Sequence, residues 1–336
     1  MPHTTMRAAL NDALKIAMRD DPDVFVIGED IAGGANAPGE DDAWGGVFQV
    51  TKGLVGEFGR ERVIDTPISE TAFLGLAIGA ANTGLRPVVE IMFVDFFGVC
   101  FDQVLNNAAK FRYMYGAHAA TPITIRTTYG VGGLSAAQHS QTLYSVFAHI
   151  PGIKVVVPSN PYDAKGLLLE SIHDDDPVIF FEHKALYDAV GDVPAEPYRI
   201  PLGQAEVRRR GNDVTIVALG RMVGLAEQAA DQLSAQGIGC TIVDPRTISP
   251  LDEATILDCV RSTGRVVVVD EGHPRCGMAS DIAAIVARKA FRDLNAPISA
   301  VTAPHTPVPF AANLEALYVP TAEDIKTAVV DVINYS

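Results

Sequence analysis

Positive charge is in deficit in this chain: 26 Lys and Arg stand against 41 Asp and Glu, a formal net charge of −15. A surface of that sign repels phosphate backbones and anionic lipid, so nucleic acid and membrane are not expected as partners. Cysteine is sparse as well. Cys100, Cys240, Cys259 and Cys276 are scattered, with no CxxC pair and no ligand-like spacing to histidine, which argues against a disulfide framework and a zinc site. No apolar run approaches bilayer length. The opening "MPHTTMRAALNDALK" lacks the apolar core of a secretory signal, and the expectation is a cytoplasmic protein with reduced thiols. Absent too are GxxxxGK[ST], GxSxG, HExxH and the protein-kinase signature. The glycines of "YGVGGLS" (129–135) do not make a dinucleotide fingerprint, and the pattern gives no strand leading directly into them and a helix directly out.

What is present is a folded composition, 48% hydrophobic and 20% charged over 336 residues, enough for two domains. In the first half, short apolar runs at 24–28, 86–92, 122–127, 154–157 and 178–182 read as strands. Helical patterns fall at 6–19, 70–83, 101–113, 141–149 and 162–172. Strand–helix alternation implies a mostly parallel sheet covered on both faces. Residues 184–204 carry three prolines and no period, and contain the expected linker. The second half restarts the alternation with strands at 213–220, 239–244, 265–272 and 297–303, a four-strand doubly wound pattern. The expected division is a domain over 1–190, a linker over 191–205 and a domain over 206–336.

Four stretches can carry chemistry. "VIGED" ends a strand in Glu29 and Asp30, where a parallel sheet meets its ligand crevice. In "DTPISE", Glu70 follows Ser69, a plausible N-cap, and opens a helix of unusually small residues. An acid there is favoured by the helix dipole and needs no further role; buried, it would become useful for proton transfer. "VEIMFVDFF" offers Met92, Phe93, Phe96 and Phe97 as a flat apolar slot or as plain core. "AAQHSQ" places His139 among small polar neighbours in a loop, a better setting for proton transfer than an apolar face.

Taken in order, "VIGED", "GGVFQVTKGLVGEFGRERVIDTPISE", "GLAIGAANTGLRPVVEIMF", "FDQVLNNAAKFRYM", "AAQHSQ", "HIPGIKVVVPSNPYDAKGLL" and "DDDPVIFFEHKALY" resemble the beta chain of the thiamine-diphosphate-dependent first component of 2-oxoacid dehydrogenase complexes. The loop 32–46 and "IMFVDF" look most like acetoin dehydrogenase. The resemblance implies an α/β fold of two domains, a doubly wound pyrimidine-binding domain followed by a transketolase C-terminal-like domain. It implies that Glu70 hydrogen-bonds N1′ of the cofactor's aminopyrimidine and promotes loss of the C2 proton. His139 would serve protonation and transfer to the lipoyl group. Met92 and Phe96 would support the pyrimidine, and Glu29 would belong to an acidic route between paired sites. A structural potassium ion is implied at Ile123, Ser171, Asp174 and Asp176, with Ser171 replacing the more usual alanine.

The sequence has no GDG…N run, the segment thiamine enzymes use for magnesium diphosphate. In the family an alpha subunit supplies it and holds the magnesium. The implied assembly is a heterotetramer of two alpha and two beta chains docked to a lipoyl acyltransferase core, inactive as beta alone. Pyruvate or a branched-chain 2-oxoacid is the rival substrate. A non-catalytic scaffold subunit is the rival of another class; it would need neither Glu70 nor His139.

Overall fold

Strands rich in valine and isoleucine, separated by helices with one apolar face, build two parallel sheets. The computed structural model describes residues 2–33 and 45–335; most of the loop 32–46, which carries the acetoin-like reading, lies outside them. The chain divides into two units, Met1–Tyr129 with Val146–Leu202, and Gly130–Ser145 with Gly203–Ser336.

The first unit contains β1 (His3–Thr5), α1 (Met6–Asp20), β2 (Val24–Gly28), α2 (Leu54–Phe58), β3 (Val63–Asp65), α3 (Glu70–Asn82) and β4 (Arg86–Phe93). It continues through α4 (Phe97–Asp102), α5 (Phe111–Met114), β5 (Thr124–Tyr129), α6 (Tyr144–Ala148, whose first two residues count with the second unit), β6 (Lys154–Val156), α7 (Pro161–His173), β7 (Val178–His183) and β8 (Val190–Asp192). Its parallel strands run in the order β6-β7-β5-β4-β2-β3. Helix α1 starts because the Thr5 side chain accepts the Ala8 N–H. Its buried Met6, Leu10, Leu14 and Met18 share one face and pack with Leu167 and Leu168 of α7. Each such leucine contributes roughly 2 kcal/mol by burial.

The helix expected over 101–113 is broken. Cys100 leaves helical geometry at φ −122°, and a π-helical turn fills Gln103–Ala108 before α5. That wide turn lies against the thin helix α3: a Cβ on Gly75 would come 3.1 Å from Gln103 Oε1.

The second unit contains β9 (Glu206–Arg209), β10 (Val214–Ala218), α8 (Met222–Ser234), β11 (Cys240–Asp244), β12 (Thr247–Ser249) and α9 (Glu253–Thr263). β13 (Val266–Asp270), α10 (Met278–Lys289), β14 (Ser299–Thr302), α11 (Ala312–Tyr318) and α12 (Ala322–Ile333) complete it. The four expected strands gain a fifth: the order is β14-β13-β10-β11-β9, with β9 antiparallel to β11. "EVRR" hides its strand character because an edge strand carries charge outward, here Arg208 to Glu227 and Arg209 to Asp231. Separate apolar clusters cover the two faces of this sheet.

Chain order reverses between β2 and β4 in the first sheet and between β10 and β13 in the second. The crevice outside the carboxyl ends at such a reversal is where doubly wound sheets take ligands.

Candidate active site

At the first reversal, Gly28 ends β2 beside Glu90 of β4. A Cβ on Gly28 would come 2.9 Å from the Glu90 carbonyl oxygen, so a side chain there would force the strand ends apart. The next residue, Glu29, is only 8% exposed. Its carboxylate accepts the Ser69 N–H, while Oε1 has no hydrogen-bond partner. Burial first, and then the charge of Glu70, push its pKa up to about 6.

Glu70 is the first residue of α3 and is half-buried within its own unit. Ser69 occupies the N-cap position, but its hydroxyl donates to the Pro67 carbonyl at 3.0 Å and does not cap the helix. The sequence expectation of a serine cap is therefore corrected: the "TPIS" turn claims the hydroxyl. Glu70 also lies near enough to Cys100 to add to burial in pushing that thiol up to about 12. The hydroxyl of Thr71 donates to the Val99 carbonyl at 2.6 Å and ties the start of α3 to α4.

Met92 and Phe96 follow at the carboxyl end of β4, both half-buried. The Met92 carbonyl accepts the Thr128 hydroxyl at 2.6 Å, and Phe96 packs edge-on against Phe93 at 5.4 Å between centroids. Phe97 does not join this apolar wall. It is 2% exposed and packs on Phe147 at 4.8 Å, because the 3₁₀ turn Val94–Phe96 swings it into the core.

Below this edge lies a buried ion triad missed in the sequence. Arg126 Nη1 stands 2.7 Å from Glu90 Oε2; Nε and Nη2 pair with Glu182 at 2.7 and 2.8 Å; Tyr187 donates to Glu182 at 2.6 Å. Its signal was one charge in each of "VVEIM", "ITIRTT" and "IFFEH". Burial pushes Glu90 up from the usual carboxylate range.

His139 belongs to the other unit, in the segment Gly130–Ser145. Two acids closing β13 hold that segment. Glu271 Oε1 accepts the Val131 N–H at 2.8 Å, and Asp270 accepts the Tyr144 hydroxyl together with the N–H groups of Gly272 and Ala279. His139 is half-buried. A cleft of about 280 Å³ beside the segment is lined by Ala137, Gln141, His273 and His305. His273 Nδ1 donates to the Pro304 carbonyl at 3.1 Å, which leaves Nε2 as the lone-pair nitrogen of the neutral ring. "VVVVDEG" carried the signal for Asp270 and Glu271, yet only the fold shows what they hold.

Of the residues expected at potassium, Ile123 offers a carbonyl that accepts the Val178 N–H at 2.9 Å, and Ser171 one that accepts the Thr124 hydroxyl at 3.0 Å. The carboxylates are engaged by cations: Lys154 Nζ is 2.7 and 2.6 Å from the oxygens of Asp174, and Arg112 Nη1 is 3.0 Å from Asp176. Among the described residues no group of three or more His, Cys, Asp or Glu could hold a metal ion.

A parallel-sheet edge presenting two close acids beside an apolar wall fits the class of pyrimidine-binding thiamine enzymes. Comparison with known proteins agrees. The transketolase pyrimidine-binding domain family matches residues 3–189, and the transketolase C-terminal domain family matches 203–325. The acetoin:2,6-dichlorophenolindophenol oxidoreductase subunit beta of Bacillus subtilis is 56% identical, over 98% of this chain and 97% of its own. The pyruvate dehydrogenase E1 component subunit beta of Rickettsia felis is 46% identical, over 99% of both chains. Among solved structures, a split-gene transketolase described as an inactive beta4 tetramer superposes with a TM-score of 0.78 at 25% identity, over 98% of this chain and 97% of that one. The chain belongs to the family of beta subunits of thiamine-diphosphate-dependent dehydrogenase components.

Proposed function

We propose that this chain, with an alpha subunit, cleaves acetoin and passes the acetyl unit to lipoamide. The observation that carries the reading is the pair Glu29 and Glu70 at the carboxyl edge of β2, in a chain 56% identical to an acetoin oxidoreductase beta subunit. The residues present fit the pyrimidine half of thiamine diphosphate: an acid at a helix start, the apolar Met92 and Phe96, and an unsatisfied buried oxygen on Glu29. When bound, the cofactor supplies an electron sink for breaking a carbon–carbon bond next to a carbonyl. Glu70 would hold a proton against the ring nitrogen N1′. Glu29, shielded from water and close to Glu70, keeps its own proton to higher pH and so limits repulsion between the two acids. His139 would exchange a proton with substrate and with the lipoyl thiol.

The partner subunit is supported by the missing GDG…N run and by apolar exposure around the start of α3. Ile68 is 85%, Leu76 58% and Val99 66% exposed, more than isolated surface leucines explain. An alpha subunit covering them would bring the diphosphate and magnesium half of the site and complete a heterotetramer of two alpha and two beta chains. Such an assembly would dock on a lipoyl acyltransferase core in the cytoplasm. The potassium ion that the resemblance implies would rest on the carbonyls of Ile123 and Ser171, since Lys154 and Arg112 already neutralise Asp174 and Asp176.

The test is to co-express the chain with its alpha subunit and follow products from acetoin and from pyruvate. Acetaldehyde release from acetoin, with acetyl transfer to lipoamide, is expected. Carbon dioxide from pyruvate with no acetoin cleavage would replace this reading with the pyruvate one.

A further inference from the structure

The second unit has a cleft that nothing in the proposed reaction uses. The cleft, of about 430 Å³, lies among α8, α11, the start of α12 and Gly132. Arg221, the residue before α8, lines it. The Arg221 side chain makes no hydrogen bond or ion pair among the described residues. Glu315 of α11 lines the same cleft, is 8% exposed, and has a buried Oε2 with no hydrogen-bond partner. A carboxylate so enclosed and unpartnered is costly, and folds keep one where a donor arrives from outside the chain. The two charges line one cavity and do not pair with each other. Leu225, Ala316 and Val319 give the same cleft an apolar wall.

We infer that this cleft binds a small zwitterion with an aliphatic side chain, an aliphatic α-amino acid. Its carboxylate meets the guanidinium of Arg221, its ammonium meets Glu315, and its side chain lies on the apolar wall. A simple anion would leave Glu315 unpaired, and a metal cation would face Arg221. Gly132 lines the same cleft. An occupant therefore touches the segment that carries His139.

L-leucine, titrated into the full chain by calorimetry, is the probe. Saturable binding is expected, together with a rise in Tm. Glu315→Gln and Arg221→Gln should each weaken it about tenfold or more, the scale of a lost charge-assisted hydrogen bond. Isocaproate, which lacks the ammonium, should bind the unmodified chain weakly and be no weaker with Glu315→Gln. Absence of both heat and a Tm shift with L-leucine overturns the inference. So does binding that neither substitution alters.

Discussion

Both sheets bury acids at the carboxyl end of a strand next to a chain reversal, and the two places differ in how fully those acids are hydrogen-bonded. In the second unit Asp270 accepts three donors, from Tyr144, Gly272 and Ala279, and Glu271 accepts Val131. In the first unit Glu29 accepts one N–H, leaves Oε1 without a partner and faces a second acid, Glu70. Satisfied acids fix backbone. An under-satisfied acid beside a like charge holds a proton near neutral pH, which catalysis needs and stability does not. The triad of Glu90, Arg126 and Glu182 sides with the second unit: its charges are paired and bonded within hydrogen-bond distance.

The largest test of that contrast is Glu70→Gln. The amide keeps the helix start but cannot serve as the proton-holding acid. Deuterium exchange at C2 of thiamine diphosphate, bound by the assembled enzyme, should slow by roughly 10²–10⁴-fold, while assembly with the alpha subunit survives. Equal exchange rates would reduce Glu70 to a residue placed only by the helix dipole.

Tyr144→Phe probes the satisfied site. Removing one donor from buried Asp270 should cost about 1–3 kcal/mol, read from urea unfolding, with C2 exchange unchanged. Lost C2 exchange at full stability would mean that the second-unit acids serve the proton chemistry directly.

The smallest effect belongs to Glu29. Its folded pKa, about 6, lies above the ordinary 4.5, so the folded chain holds a proton that the unfolded chain has released. Stability should fall as pH rises through that window and level off above it, by about 1 kcal/mol once solvent screening is allowed for. Glu29→Gln should remove its share of the fall, seen as urea midpoints that decline less from acid to neutral pH than those of the unmodified chain. A fall of unchanged size in the variant would place the titrating group elsewhere.

Much of this was legible in the chain itself. "VFVIG" forms β2 over the expected residues, and α1, α3 and α7 begin or end within a residue or two of their apolar periods. Apolar spacing reports which face of an element is buried, and that is a local property. The ordered run of motifs from "VIGED" to "DDDPVIFFEHKALY" fixed the family, and "DTPISE" already set an acid at a helix start.

Tertiary structure decided what depends on distant neighbours. Phe96 and Phe97 are adjacent and chemically alike, yet one stays half-buried against Phe93 and the other enters the core, because a 3₁₀ turn rotates them apart. Ser69 reads as a cap in sequence, but the preceding turn takes its hydroxyl. Glu29 and Glu70 stand 41 residues apart in the chain; only the parallel pairing of β2 with β3, which leads into α3, brings their charges close enough to move a proton equilibrium. Hydrophobic pattern specifies burial element by element, whereas pKa, satisfaction and cavity shape are set by which strand ends the closed sheet places side by side.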